Sequence, residues 1–483
     1  MTRRVVVVGG GLAGITAAIA LRESGHDVVL LEAKPWLGGA TCSFTRDNLV
    51  VDTGQHVFLR CCAAYRGLLD RLGMTGSVRL QDRFDVTVLR PGQPPTRTAR
   101  LRRTALPGPL HMGLALIRYP LISVNERLRT GNAALALKRL DPADPALDGQ
   151  RLGDWLAAHG QSEHTRRALW DLFTVASLNI AGDDANLALA ATVVQTALLG
   201  SKDAADIGVP AIPLGDLHGN AALAHLASLG AEVRLGVKVT SIETAQDSLP
   251  GIGRAFTVRL GRQADTEAAG NAAIEADGVV IAVPPEQAAR LFPAVAGQAS
   301  WRGLGASPIV NVHVIYDRPV MSLPFAAAVD SPVQWVFDRT SPSGLAGQPG
   351  RAGGQYLAVS VSAADEQVDV PAAKLRDVFV PALAELLPEA RTARVTEFFV
   401  TRERSATFRQ GPGCEGLRPQ AATALPGLVL AGAWTNTGWP DTMEGAVRSG
   451  LNAARELRRA LGAPARVTAV SYSGGPHPAG AGV

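Results

Sequence analysis

The chain has 483 residues, with 47 Lys and Arg against 43 Asp and Glu and 47% apolar residues, enough for about two or three domains around a large core. A formal charge of +4, with no basic run interleaved with aromatics, argues against a nucleic-acid partner. The four cysteines, Cys42, Cys61, Cys62 and Cys414, form no C-x-x-C pair, and no metal-ligand spacing is visible; with Met1-Thr2-Arg3-Arg4 leading straight into a strand, a cytoplasmic, disulfide-free, metal-free chain is expected.

The first predicted element is a buried strand at Val5-Val6-Val7-Val8, followed by Gly9-Gly10-Gly11-Leu12-Ala13-Gly14 and a helix with apolar positions at Ile15, Ala18, Ile19 and Leu21. A second strand, Val28-Val29-Leu30-Leu31, ends at Glu32 and Ala33. Gly9 permits the tight turn, Gly11 lets the backbone approach a pyrophosphate, and Gly14 lets helix and strand pack closely. The helix N-terminus at Leu12 and Ala13 offers N–H groups to phosphates, and Glu32 stands where it accepts hydrogen bonds from an adenosine ribose. The same carboxylate repels a 2′-phosphate, so NADP is disfavoured. A second match to the glycine spacing, Gly411 to Gly416, carries Pro412 and runs into Leu417-Arg418-Pro419, so it reads as a loop.

The next segment, Ala33-Lys34-Pro35-Trp36-Leu37-Gly38-Gly39-Ala40, places a Gly-Gly pair just after the acid. Near the other end stand Leu430-Ala431-Gly432-Ala433-Trp434-Thr435 and Thr442-Met443-Glu444-Gly445-Ala446-Val447. These motifs resemble the FAD-binding amine oxidase and carotenoid desaturase superfamily. The resemblance implies FAD, held by Gly9, Gly11, Leu12, Ala13, Gly14, Glu32, Ala33, Gly38, Gly39, Ala40, Gly432, Ala433, Met443 and Glu444, with the backbone of Val239 against adenine. It implies backbone N–H groups of Met443 and Glu444 near the flavin pyrimidine carbonyls. Two positions depart from the superfamily pattern: Ala40 replaces the usual Arg after the glycine pair, and Ala433 replaces an Asp that contacts the ribityl chain.

The fold expected is α/β, with a Rossmann-type FAD-binding domain and an α+β substrate domain. The FAD-binding domain is discontinuous, from residues 1–74, 214–285 and 425–461; residues 75–213 and 286–424 build the substrate domain. Its strands include Ile309 to Tyr316 and Gln355 to Val361, and helices dominate from Arg151 to Leu199. The Gly-, Pro- and Ser-rich tail, residues 467–483, reads as disordered.

Two further segments narrow the resemblance. One is Val51-Asp52-Thr53-Gly54-Gln55-His56-Val57-Phe58, and the other runs from Leu169 through Asn179, Gly200 and Asp206 to His218. With the flavin motifs they resemble the hydroxysqualene dehydroxylases of bacterial hopanoid synthesis, up to about residue 460. That resemblance implies reductive dehydroxylation of the C30 isoprenoid hydroxysqualene to squalene. Hydroxide is a poor leaving group, so an acid is required; His56, Asp203 and Asp206 are the candidates, each with an alternative as core or loop residue, while His218 begins a helix and reads as structural. Only one dinucleotide fold is present, so the electrons come from an external donor. The alternatives are a carotenoid-type desaturase, which shares every flavin motif; an amine oxidase, for which five Tyr are a poor endowment; and a flavin-binding accessory protein.

No apolar run reaches the roughly 18–20 residues that span a bilayer. Leu187 to Leu199 reads either as a wall of an apolar tunnel or as plain core. Leu110 to Val124 reads either as a buried helix or as an apolar lip for peripheral membrane contact.

Overall fold

Val5 to Val8, Val28 to Leu31 and Gly278 to Ile281 are buried on both faces, which is what a parallel sheet covered by helices demands of its strands. In the computed structural model, which describes residues 2–92, 97–244, 255–261, 272–293, 300–348, 350–351 and 353–462, they form a five-stranded parallel sheet. Its order is Glu232–Leu235, Asp27–Glu32, Arg4–Val8, Gly278–Ile281, Leu428–Leu430. Strands from three separated parts of the chain thus share one sheet, and the fold is α/β as expected. The helices Leu12–Glu23 and Met443–Ala460 pack together against it. Gly450 makes this close approach possible: a Cβ there would lie 2.3 Å from the Ala13 carbonyl oxygen.

The second half of the molecule is built on a seven-stranded sheet. Its longest central strand, Ser307–Tyr316, pairs antiparallel with Gln355–Ser362 on one side and Val395–Thr407 on the other. Along it Val310, Val312 and Val314 pack into one apolar cluster that includes Phe379 and Leu383 of the helix Ala372–Leu386. The alternate residues Ser307, Asn311 and His313 are polar and equally buried, so this second face is polar and turned toward other parts of the protein. Helices cover residues 110–137 and 152–198; the last of these runs from Leu187 to Leu198, ends in a wide π-type turn and is largely buried.

Three local expectations change. The Gly411 to Gly416 segment holds a single helical turn, Cys414–Leu417, because Pro419 lies beyond its end. His218 does not open its helix; it sits within a turn that begins at Gly215 and continues into Ala221–Ser228. Residues 110–124 split into two helices, Leu110–Ile117 and the start of Val124–Leu137. The 467–483 tail lies outside the described residues, and among the described residues no helix is long and apolar enough to cross a membrane.

Candidate functional site: a dinucleotide cradle opening on a polar cleft

The cradle is assembled by glycines with different duties. Gly9 has φ +109°, and a Cβ on it would lie 2.3 Å from the Ala282 carbonyl oxygen; a Cβ on Gly14 would lie 1.9 Å from the Gly9 carbonyl oxygen. Both positions are closed to side chains by the backbone itself. Gly11 is different. Its φ is −74°, and the nearest atom to a Cβ there is Gly39 Cα at 3.9 Å. Space is therefore left open beside Gly11, where the first turn of the helix begins with no side-chain cap and no acidic residue. A pyrophosphate fits that space, and the uncapped N–H groups of Leu12, Ala13 and Gly14 suit its charge.

The Gly-Gly segment folds back onto this turn. Gly38 N–H donates to the Gly10 carbonyl at 2.8 Å, and Gly38 and Gly39 have φ +111° and +61°. Ala40, exposed, follows. Glu32 is committed in part to the protein: its carboxylate accepts from Gly10 N–H at 2.6 Å and Lys34 N–H at 2.8 Å, so it shapes the turn as well as facing the expected ribose. Exposed Ala33 adjoins it. Val239, buried, opens a strand two residues after Val237, whose N–H donates to the Glu32 carbonyl at 2.9 Å. The adenosine-side residues are thus neighbours.

At the far end of the parallel sheet, Gly432 has φ +138° and its N–H donates to Ser449 Oγ at 2.9 Å. Ala433, buried, lies in the loop after the strand Leu428–Leu430, which Arg418 pins by donating to the carbonyls of Ala433, Thr435 and Trp439. Thr442 caps the last helix, its Oγ1 accepting from Gly445 N–H. The amides of Met443 and Glu444 make no bond among the described residues. The Glu444 side chain points elsewhere. It accepts from the N–H groups of Ala64 and Tyr65 at 3.2 and 2.8 Å, which caps the helix Ala63–Arg71, and from Arg448 Nε at 2.7 Å.

Between these ends stands a cluster of buried polar side chains. Thr53 Oγ1 donates to the carbonyls of Ala40 and Cys42, and Asn311 Nδ2 donates to the Thr53 carbonyl at 3.2 Å. Three buried atoms here make no well-formed hydrogen bond: Gln55 Nε2, His56 Nδ1 and Asn311 Oδ1. Buried polar atoms are rarely left so, and a polar ligand such as an isoalloxazine ring meets that need. His56 is enclosed by protein yet keeps some accessible surface. Burial lowers its pKa, outweighing the upward pull of the Gly54 backbone and of Asp52, with Arg339 adding a smaller push down, so the neutral imidazole is favoured. Arg339 and Asp52 form a buried ion pair at 2.5 Å. His218 is fully buried, shares a 2.8 Å hydrogen bond with Tyr65 Oη, and is lowered to about 3 by burial and by His56.

The other sequence candidates fare differently. Asp206 is fully buried and accepts from Arg103 at 2.6 and 2.8 Å, from Arg60 at 3.1 Å and from Phe84 N–H at 2.6 Å. Burial alone would raise its pKa, but Arg103, Phe84 N–H and Arg60 outweigh it and hold the carboxyl below the usual range. It has no proton to give at neutral pH; the acid reading of Asp206 is corrected to a structural ion pair. Asp203 is half-exposed, 3.8 Å from Arg60, in the same cluster. An acid that sequence reasoning missed is Asp441. It precedes the Thr442 cap and accepts from Phe408 N–H at 2.9 Å through Oδ2, while its Oδ1 makes no hydrogen bond among the described residues. Protein surrounds it although it keeps accessible surface, and burial raises its pKa to about 6 against Phe408 N–H and Arg418. No spacing rule could have found it, because its pKa is set by residues from distant segments.

A cradle for a dinucleotide, beside a cluster of buried polar side chains and the free amides of Met443 and Glu444, defines a flavin-binding oxidoreductase. The chain belongs to the family of flavin containing amine oxidoreductases, whose model matches residues 12–458; it is an FAD-dependent oxidoreductase. Among curated proteins it is similar to hydroxysqualene dehydroxylase of Rhodopseudomonas palustris, 29% identical over 94% of this chain and 98% of that one. Hydroxysqualene dehydroxylase of Sinorhizobium fredii is 27% identical with the same coverage, and 15-cis-phytoene desaturase of Solanum lycopersicum is 24% identical over 94% of this chain and 77% of that one. Among solved structures, putrescine oxidase bound to putrescine superposes with a TM-score of 0.67 at 19% identity, covering 95% and 99% of the two chains. An oxidoreductase from Methanosarcina mazei does so with 0.70 at 16%, covering 94% and 100%. These two show the fold.

Proposed function

We propose that the protein reduces hydroxysqualene to squalene, releasing the hydroxyl group as water. The observation that carries this reading is the full-length likeness to two hydroxysqualene dehydroxylases, each covered to 98% of its length. FAD, when bound and reduced by an external donor, supplies the hydride. Gly9, Gly11, Leu12, Ala13, Gly14 and Glu32 would hold its adenosine diphosphate half; Gly38, Gly39, Ala40, Gly432, Ala433, Met443 and Glu444 would line the rest.

This chain's own residues bind the cofactor, exclude water, and provide a proton for the departing hydroxyl. His56 and Asp441 are the groups suited to the last of these roles. His56 can give a proton only from its imidazolium form, a minority at pH 7 because burial lowers its pKa. Asp441, near 6, keeps its proton in roughly a tenth of molecules at pH 7 and has one carboxyl oxygen uncommitted. His56 lies near Asn311, and Asp441 lies beside Phe408, the residue after Thr407, which pairs with Ser307 on the same strand as Asn311.

The test offers two substrates. Enzyme reduced under anaerobic conditions receives hydroxysqualene, and oxidised enzyme receives phytoene. Squalene in the first and no desaturated product in the second supports the proposal; the reverse assigns the protein to the desaturases, whose phytoene-acting members are 24% identical to it. His56→Ala should retain FAD and turn over at least about tenfold more slowly, since acid catalysis contributes roughly 10²–10⁴-fold. A normal rate in that variant and a slow one in Asp441→Asn would pass the proton to Asp441.

A further inference from the structure

Of the eleven large apolar side chains exposed on the described surface, seven lie between Leu106 and Leu135. They are ordered. On the helix Leu110–Ile117, Leu110, Leu114 and Ile117 recur at i, i+4 and i+7, with exposures of 61%, 36% and 64%. On the next helix, Val124–Leu137, Val124, Leu128 and Leu135 recur at i, i+4 and i+11, with 64%, 66% and 48%. The opposite faces are the packed ones. Ala115 joins the apolar cluster beneath with Tyr119 and Leu121, while Thr130, Ala133 and Leu137 are buried on the second helix. Each helix therefore has an inner apolar face that holds the fold and an outer apolar stripe that holds nothing. Scattered exposed leucines are ordinary, but a contiguous stripe over two adjacent helices is a contact surface.

Charge identifies the partner. From Arg102 to Leu140 the chain carries Arg102, Arg103, Arg118, Arg127, Arg129, Lys138 and Arg139 against a single acid, Glu126. Glu126 is engaged by Ser162 and Ser123 at the start of the second helix, and their hydrogen bonds lower its pKa to about 2. Arg118, Arg129, Lys138 and Arg139 are exposed and make no ion pair among the described residues. An apolar stripe flanked by four exposed, unpaired cations, with Glu126 held by serines and the exposed Asp141 and Asp144 lying beyond the second helix, matches an anionic lipid surface: acyl chains take the leucines and headgroup phosphates take the arginines.

We propose that the two helices spanning Leu110–Ile117 and Val124–Leu137 dock the protein, without spanning, on a bilayer rich in anionic phospholipid. The inner faces stay packed on the protein, so docking needs no unfolding. The contact stands apart from the reaction, because it is measured with no substrate present.

The test uses the FAD-loaded full chain and sedimentation with vesicles of phosphatidylcholine, with or without phosphatidylglycerol. Binding to the anionic vesicles only, weakened by salt, is expected. Ile117→Asp with Leu128→Asp should weaken it at least about tenfold with FAD retained. Arg118→Glu with Lys138→Glu, at exposed positions outside the core, should do likewise; if the aspartate pair loses FAD or thermal stability, this charge pair decides alone. Absence of wild-type binding, equal binding to neutral vesicles, or wild-type binding by the charge pair would overturn the proposal. So would a concentration-dependent dimer that the same variants dissolve, which would make the stripe an interface between two copies of the chain.

Discussion

Replacing Gly11 by Val separates the cradle's cofactor duty from its folding duty. Gly11 has φ −74° and ψ 177°, extended backbone open to any residue, and a Cβ there meets nothing nearer than 3.9 Å. The apoprotein should therefore fold and melt close to wild type. The branched side chain, however, fills the space beside the first helical turn, where Leu12, Ala13 and Gly14 present N–H groups without a capping side chain. Two charge-assisted hydrogen bonds lost to phosphate, at roughly 1.5–3 kcal/mol each, come to roughly 3–6 kcal/mol, or about a hundredfold to ten-thousandfold in Kd. Apoprotein titrated with FAD and followed by flavin fluorescence reads this directly, with the apo melting temperature as the control for folding. Gly14→Ala is the contrast: its Cβ would stand 1.9 Å from the Gly9 carbonyl oxygen, so it should lose fold and cofactor together. If Gly11→Val stays yellow with an unchanged Kd, the pyrophosphate does not pass beside Gly11 and the placement of the cofactor is wrong.

Three more outcomes follow from the same geometry. Glu32→Ala should weaken FAD by about 2 kcal/mol and also lower the apo melting temperature, because Gly10 and Lys34 lose their acceptor; an unchanged apo temperature would show those two bonds to be idle. Ala433→Asp should slow the loss of FAD on dialysis by restoring a polar anchor, and faster loss would show that the backbone path there differs from the superfamily's. Asp441→Asn should flatten a pH dependence of apo stability. Asp441 has its pKa raised by burial from 3.8 to about 6, so the fold favours the protonated form; that stability is full below about pH 4 and is lost as pH rises through about 6. Two units amount to about 3 kcal/mol at most, so urea midpoints of variant and wild type should diverge between about pH 4 and pH 7 in the variant's favour; parallel curves would contradict the burial of this carboxyl.

The cradle was legible because its chemistry is local. Gly9, Gly11, Gly14 and Glu32 lie within 24 residues, and each glycine answers a demand of the strand-turn-helix unit that contains it. The strands of the parallel sheet were legible for a related reason: burial on both faces leaves an uninterrupted Val-rich run such as Val5 to Val8. The acids were not. Asp206 finds Arg60 and Arg103 at separations of 146 and 103 residues, and nothing near it in the chain announces that its charge is neutralised by ion pairs. Asp441 reads locally as an ordinary acid ahead of a helix; only the fold, by bringing Phe408 and Arg418 around it, turns it into a carboxyl that titrates near 6. The two-helix stripe was half legible. The apolar content of Leu110 to Val124 was plain, but which residues face outward depends on the break between Ile117 and Val124, and the second stripe lies mostly beyond that segment.

The central claim is that the flavin in this protein gives electrons to hydroxysqualene. The direct measurement is a single turnover: photoreduced enzyme, free of oxygen and of any other reductant, mixed with hydroxysqualene while flavin absorbance is followed and the lipid is extracted. The account predicts that the oxidised flavin spectrum returns only when substrate is present, with one squalene formed per flavin reoxidised. Flavin that stays reduced in the presence of hydroxysqualene, or reoxidises without forming squalene, would contradict it.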